Sequence, residues 1–541
     1  MRVTNMKKEI SKTQLFLAIV LTALLLAPAA FAAVPGISGG TGATATFNLT
    51  AQAEYLTQPD GSAIYSWGYG CSSAPASYAP AAIANGFCST MQVPGPTLIV
   101  TQGQTVTVNL ANNLPTAAGN TSILFPGFDV TAAAAAAQPS TCVPVSPAVP
   151  APRGLLTTEA IPGCVVSYTF TASTPGTRSY YSGSQGDLQV EMGLYGAIIV
   201  LPSAIPSACT SELHSKNLVA ESTHGETDFR LAAAAYNHAG SCYDREYIFQ
   251  FSEMDPRIHR EALQQSTRSC TGCMTVATEP YVPAYFMING RSMPDDMDPN
   301  YAPQYPHQPY NGNPHMHPGE LVLLRIIGQG RWQHPFHEHG NHVRVLARDG
   351  SLILSSTDST ALGGPLLFTT TTTPGQAIDG IYYWTGKGLN WDPYGHNPTS
   401  GDPLAKLTCT PDANGYNTGD PTAINYFEWC QDHNKPLQST PIGDVAGNGP
   451  ATLPDPNIFA NGPWFGGSPY LGANATGRAV GSTGTTPPSG TVANSPTDEA
   501  GFAFMWHSHN EREITTNNIF PGGMLMMMLV DSREFVINES N

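Results

Sequence analysis

The stretch PGPTLIVTQGQTVTVNLANNLP, Pro94–Pro115, decides the fold. It is rich in Val, Thr, Ile and Leu and bounded by Gly, Pro and Asn, a strand composition enclosed by turn residues. Working outward, the same signature returns at Ala45–Tyr55, Val165–Ser173 and Tyr195–Pro202. It continues at Arg245–Glu253, Glu320–Gly328, His342–Gly350, Ala377–Thr385 and Met524–Val530. Long helical periodicity is missing, and one helix-capable piece follows Pro256. With 53 Gly, 47 Pro and only 12% charged residues, the chain reads as all-β. The expected architecture is tandem Greek-key β-sandwich domains with long loop insertions.

Composition shifts divide the 541 residues. Residues 1–32 have a basic start at Lys7 and Lys8, the apolar run LFLAIVLTALLLAPAA and a small-residue end at Ala30–Ala32, the pattern of a secretory signal peptide. The run is short for a membrane span, and no later stretch reaches the ~18 apolar residues that a span needs. The mature chain is therefore expected outside the cytoplasm: secreted, periplasmic or on the cell surface. A first strand-rich domain is expected over 33–205, a linker over 206–240 and a second domain over 241–541. The second carries a Gly-, Pro- and Asn-rich insert at about 387–498, read either as a lid over something or as a surface loop. Three domains, the third drawn from the C-terminal segment and part of the insert, is the other division.

An oxidising compartment makes the ten cysteines legible as disulfides. Sequential pairing is expected: Cys71–Cys88, Cys142–Cys164, Cys209–Cys242, Cys270–Cys273 and Cys409–Cys430. CTGC at Cys270–Cys273 lacks a βαβ setting and a second CxxC, so a local disulfide is preferred to a redox or zinc pair. The formal charge of -17, 40 acidic against 23 basic residues, excludes a nucleic-acid partner.

Of 15 histidines, eight sit in three tight groups: NPHMHPGE (Asn313–Glu320), HPFHEHGNH (His334–His342) and FMWHSHNERE (Phe504–Glu513). Alternate residues of a strand share a face. His337 and His339 then point one way and His334 the other, while His507 and His509 share a face with Ser508 on the reverse. Two such HxH strands side by side would offer four imidazoles to one small volume, a donor set for copper, zinc, iron or nickel. The competing reading is histidines held by hydrogen bonds. His315 and His317 read as part of a polar turn, and His342 as structural.

These segments resemble the multicopper oxidase family. Pro94–Pro115, TSILFPG (Thr121–Gly127) and PGTRSYYSGSQGDLQVEMGLYGAIIV (Pro175–Val200) are similar to its first cupredoxin domain. PGELVLLRIIGQGRWQHPFHEHGNHVRVLARDG (Pro318–Gly350) and WHSHNEREITTNNIFPGGMLMMMLV (Trp506–Val530) are similar to its last, and YFMINGRSMPDD (Tyr285–Asp296) is another familiar segment. The resemblance implies that His334, His337 and His339 stand where one motif supplies type-1, type-2 and type-3 copper. His507, Ser508, His509 and Glu513 stand where another supplies two type-3 histidines around the type-1 cysteine and then a type-1 histidine; Met524 matches the axial methionine loosely. Where the family's first domain reads HWHG and HSH, this chain has Leu124 and Pro126, then Tyr181 and Gly183.

The chain thus resembles a divergent member without the type-1 cysteine and the first-domain copper histidines. Blue copper needs a thiolate with two imidazoles, which Ser508 and Glu513 do not supply. The candidate metal residues are His337, His339, His507, His509 and His334, with Glu511, Glu513 and Tyr181 as neighbours to test. One copper ion is the expected cofactor and zinc the alternative. The expected function is copper binding with a non-blue oxidoreductase activity on an unidentified small molecule or metal ion. The alternatives are a catalytically inactive structural or surface-assembly protein, and an oxidase with an unusual metal arrangement.

Overall fold

The computed structural model describes residues 33–539, except 84–85, 136–137, 144–155, 211 and most of 390–499. The signal-peptide reading at 1–32 and the larger part of the expected insert lie outside the described residues.

The first region contributes ten strands. They are β1 (Gly36–Ser38), β2 (Thr44–Thr57), β3 (Ala63–Cys71), β4 (Tyr78–Ala79) and β5 (Leu98–Thr101), then β6 (Thr105–Asn112), β7 (Thr131–Ala134), β8 (Val165–Thr171), β9 (Gly176–Tyr181) and β10 (Tyr195–Leu201). They form two sheets, ordered β4-β1-β5-β10-β9 and β3-β2-β6-β8-β7. Pro94–Pro115 supplies one strand to each: Leu98–Thr101 and Thr105–Asn112 separate at a turn where Gly103 takes φ 93°, which disfavours any residue with a Cβ. On β6 exposed or half-buried residues alternate with buried Val106, Val108 and Leu110, and the buried set faces a core with Trp67, Tyr168 and Phe170.

The second region repeats the plan. Its strands are β11 (Arg245–Met254), β12 (Tyr285–Ile288), β13 (His315–Met316), β14 (Leu321–Gly328), β15 (His334–Glu338), β16 (Val343–Arg348), β17 (Ser351–Leu352) and β18 (Leu366–Leu367). β19 (Thr369–Thr372), β20 (Ala377–Tyr383), β21 (Gly467–Gly472), β22 (Val492–Ser495), β23 (Ala500–Ser508) and β24 (Leu525–Asp531) complete it. One sheet runs β12-β11-β14-β20-β16-β17 and the other β13-β24-β23-β15-β19. They enclose a core in which Trp506 meets Phe249, Phe336 and Tyr382 at ring-centroid distances of 6.3, 6.0 and 4.9 Å. The architecture is the all-β arrangement of tandem β-sandwiches expected.

Two apolar clusters join the regions. Leu56, Met91, Val93 and Tyr195 pack with Met254, Tyr285 and Met287, and Val34, Ala197 and Ile199 pack with Ile248, Ile327 and Ala377. The helix-capable piece is a helix at Pro256–Ser266, started by Asp255, whose carboxylate accepts the Arg257 N–H at 2.9 Å. A second helix, Glu212–Thr223, had no sequence expectation. All five disulfides pair sequentially. No helix among the described residues is long and apolar enough to cross a membrane.

Candidate metal centre

β15 and β23 lie antiparallel, with Phe336 opposite Ser508, His337 opposite His507 and Glu338 opposite Trp506. Strand parity then sorts the side chains. Phe336, Glu338, Trp506 and Ser508 turn into the core and are 0% exposed, whereas His337 and His507 lie on the opposite face of the sheet and are still buried, 6% and 8% exposed. His339 and His509 continue the two strands just beyond their ends, His339 half-buried and His509 exposed. His339 is anchored through its carbonyl, which accepts the Trp506 indole N–H at 3.0 Å and the Tyr382 hydroxyl at 3.1 Å.

The four rings gather as expected. Centroid separations are 4.7 Å for His337–His339, 5.6 Å for His337–His507, 5.0 Å for His337–His509, 5.2 Å for His339–His507 and 5.7 Å for His507–His509. His507 Nδ1 lies 2.7 Å from the Ser508 carbonyl, which only accepts, so Nδ1 carries the proton and Nε2 the lone pair. That Nε2 is 3.3 Å from His339 Nε2. His337 Nδ1 is held 2.9 Å from the Thr369 hydroxyl, leaving Nε2 for a ligand. Burial, then repulsion from His339 and His507, pushes His337 down to about 4. Burial also lowers His507, against an opposing pull from Glu511. Both are therefore neutral donors at pH 7, the form that a metal requires.

Neutral imidazoles backed by oxygen acceptors fit copper(II) or zinc. The rings stand wider than a closed shell. Among the described residues, Glu226, His317 and Glu320 alone form a trio whose ligand atoms all lie within 4.8 Å of one another. That trio is already occupied: Arg245 bonds Glu320 at 2.6 Å and also pairs with Glu226, and His317 donates to Glu226. A guanidinium there neutralises the carboxylates that would bind a cation, so the trio does not fit a metal. His315 and His317 are consequently not in a polar turn. Both are buried, His315 against Asp531 at 2.5 Å and His317 against the Asp531 carbonyl at 2.9 Å. Sequence reasoning missed Glu226 and Arg245, which lie far away along the chain and become neighbours only through the fold. His342 is half-buried against Phe368, as a structural residue would be.

His334 does not join the four rings. It points into the core, with Nδ1 2.9 Å from Glu513 and Nε2 2.9 Å from Glu253. Both nitrogens face carboxylates, so both donate. Burial alone would lower its pKa, but the hydrogen bonds and charges of Glu253 and Glu513 raise it to about 9, and His334 is an imidazolium at pH 7. Neither nitrogen is left for a metal. Glu513 likewise faces away from the cluster, accepting the Ser508 hydroxyl at 2.5 Å. Ser508, Glu513 and His334, which the resemblance assigns to a blue-copper site, do converge, but as a hydrogen-bonded chain whose chemistry does not fit blue copper.

Tyr181 is not beside the imidazoles either. With Leu124 and Gly183 it lines a cavity of about 370 Å³, opposite Gln329, Gly330 and Gly375, and none of the four histidines lines that cavity. Three of the four positions from which the first domain would supply ligands, Leu124, Tyr181 and Gly183, therefore border a mainly apolar space.

No protein-family model matches the chain. No curated protein matches it. Solved structures do. The multicopper oxidase mgLAC aligns over 90% of this chain and 85% of its own, at 15% identity and TM-score 0.41. The blue copper oxidase from Nitrosomonas europaea aligns over 89% and 85%, at 14% identity and TM-score 0.41. The copper nitrite reductase from Nitrosomonas europaea aligns over 63% and 84%, at 19% identity and TM-score 0.36. The chain's structural neighbours are thus multicopper oxidases, laccases and copper nitrite reductases, proteins of cupredoxin fold.

Proposed function

We propose that this chain is an exported protein that binds one copper ion through His337, His339, His507 and His509. The observation that carries this reading is the cross-strand register placing His337 opposite His507, with two more imidazoles at the strand ends. Copper held there would supply one-electron redox chemistry of a non-blue kind. Zinc is the competing ion, since four imidazoles also suit a tetrahedral site. The domain division at 33–205 and 241–541 and the leader at 1–32 belong to the same reading. Replacement of the first-domain ligand positions by Leu124, Pro126, Tyr181 and Gly183 favours a second reading, an inactive structural or surface-assembly protein.

Copper loading followed by metal analysis and electron paramagnetic resonance tests the proposal. About one tetragonal copper per chain is expected, lost in the His337→Ala/His507→Ala double variant. Clearly substoichiometric copper in the wild type overturns it. Oxidation of phenols or metal ions that persists in His507→Ala removes these histidines from any catalysis.

A further inference from the structure

The helix Pro256–Ser266 and the loop after it reach across to the first region. Met274, 8% exposed, belongs to the same buried cluster as Leu114, Ala117 and Ala118. The loop is held there by its backbone. The Gly272 N–H donates to the Thr116 carbonyl at 3.0 Å, and the Met274 N–H to the Ala117 carbonyl at 3.1 Å. The two segments approach each other at glycines: a Cβ on Gly119 would stand 2.9 Å from the Gly272 Cα, and the two residues take left-handed φ of 80° and 60°. The Cys270–Cys273 disulfide closes this loop, with the two Cα atoms 5.8 Å apart.

This bridge differs from the other four in two ways. Each of the others has at least one cysteine no more than 8% exposed, whereas Cys270 is exposed and Cys273 only half-buried. The others join residues 17 to 33 apart in sequence, and this one residues 3 apart. Loop-closure stabilisation grows with the span, so this bridge adds least to the stability of the fold and is the most open to attack. The local charge is also suited to a thiolate. Arg268 Nη1 donates to the Cys273 carbonyl at 3.1 Å, and residues 268–278 contain no Asp or Glu.

We propose that Cys270–Cys273 is a thiol–disulfide exchange site whose substrate is a dithiol, and that its cleavage unfastens the loop from the first region. A thiolate of the dithiol attacks the exposed Cys270 sulfur, and Cys273 leaves as a thiolate beside Arg268. The second thiol of the reductant then closes on the first, releasing Cys270. One disulfide is broken and one formed; two electrons and two protons pass from the dithiol to the two cysteines. A monothiol stops at the mixed disulfide, where Cys273, three residues away, expels it again. Once the bridge is cut, Gly272 regains its backbone freedom, and holding the Gly272 and Met274 hydrogen bonds costs more entropy. Neither part of the proposal depends on the copper reading.

Full-length protein under argon is titrated with dithiothreitol, and free thiols are trapped with iodoacetamide and mapped by mass spectrometry. Cys270 and Cys273 are expected to be alkylated together, at a concentration that leaves the other cysteines bridged. Reduction of any other pair at or below that concentration overturns the site. Hydrogen exchange on the selectively reduced protein reads the clasp. The Gly272 and Met274 amides are expected to exchange about tenfold or more faster while those of β23 are unchanged. Unchanged exchange at both overturns the unfastening. The Cys270→Ser/Cys273→Ser variant is expected to show the fast exchange without reductant, and slow exchange in that variant, once β23 shows it folded, also overturns it. If the variant does not fold, the reduced wild type decides alone.

Discussion

His337 and His507 are direct cross-strand partners, with ring centroids 5.6 Å apart on the face of β15 and β23 that Phe336 and Trp506 turn away from. The strand pairing, not the local loop, sets their separation, so the site is as rigid as the sheet that carries it.

Thr369 holds the His337 ring from behind. Thr369→Val should leave the fold intact and weaken copper binding about 10- to 100-fold, the usual effect of removing a group that orients a ligand. Competitive titration with a chelator of known affinity checks this. Unchanged affinity would mean that Thr369 does not position the ring.

His334 makes stability pH-dependent. Its folded-state pKa is about 9 against an ordinary value near 6.5, so its contribution is complete below about 6.5 and is lost as pH rises through about 9. A shift of that size is worth about 3 kcal/mol. Denaturation midpoints of metal-free protein should fall between pH 6.5 and 9, and that slope should vanish in His334→Gln.

His337 acts in the opposite sense. Its pKa is depressed to about 4, so the folded state resists a proton that the unfolded chain accepts below about 6.5. Stability should therefore decline as pH falls from about 6.5 toward 4, and His337→Asn should flatten this acid limb. An identical acid limb in the variant contradicts the assignment.

Ser508→Cys alone should not turn the copper-loaded protein blue, because a thiolate there has Glu513 and an already engaged His334 for company. Ser508→Cys combined with Glu513→His supplies one thiolate and two imidazoles, the blue-copper set. An intense thiolate-to-copper absorption is expected in the double variant only. Its appearance in the single variant would show that His334 releases its carboxylates for a metal.

How much of this was legible in the sequence depends on distance along the chain. The period-two pattern around His337 and His507 fixed which residues share a face, and the strand pairing agrees with it. Parity likewise put His334 and Ser508 on the reverse side. The partners of those buried groups were not legible: Glu253 lies 81 residues from His334, and Glu226 lies 91 from His317. A histidine in a loop-like run such as NPHMHPGE looks solvated until the fold brings Asp531 and Glu226 against it. Tyr181 stays open in the sequence between a neighbour of the site and a mere space-filler, since alignment to a ligand position does not give the direction in which a larger side chain points; in the fold it lines a separate cavity.

The imidazolium of His334 also changes what the second sandwich needs in order to mature. Where a metal closes a core, folding waits on delivery of that metal. Here the positive charge between Glu253 and Glu513 is encoded in the polypeptide and arrives with synthesis. The interior can reach its final packing in a metal-starved environment, and on the copper reading proposed above, loading of His337, His339, His507 and His509 would be a late step in an already folded protein.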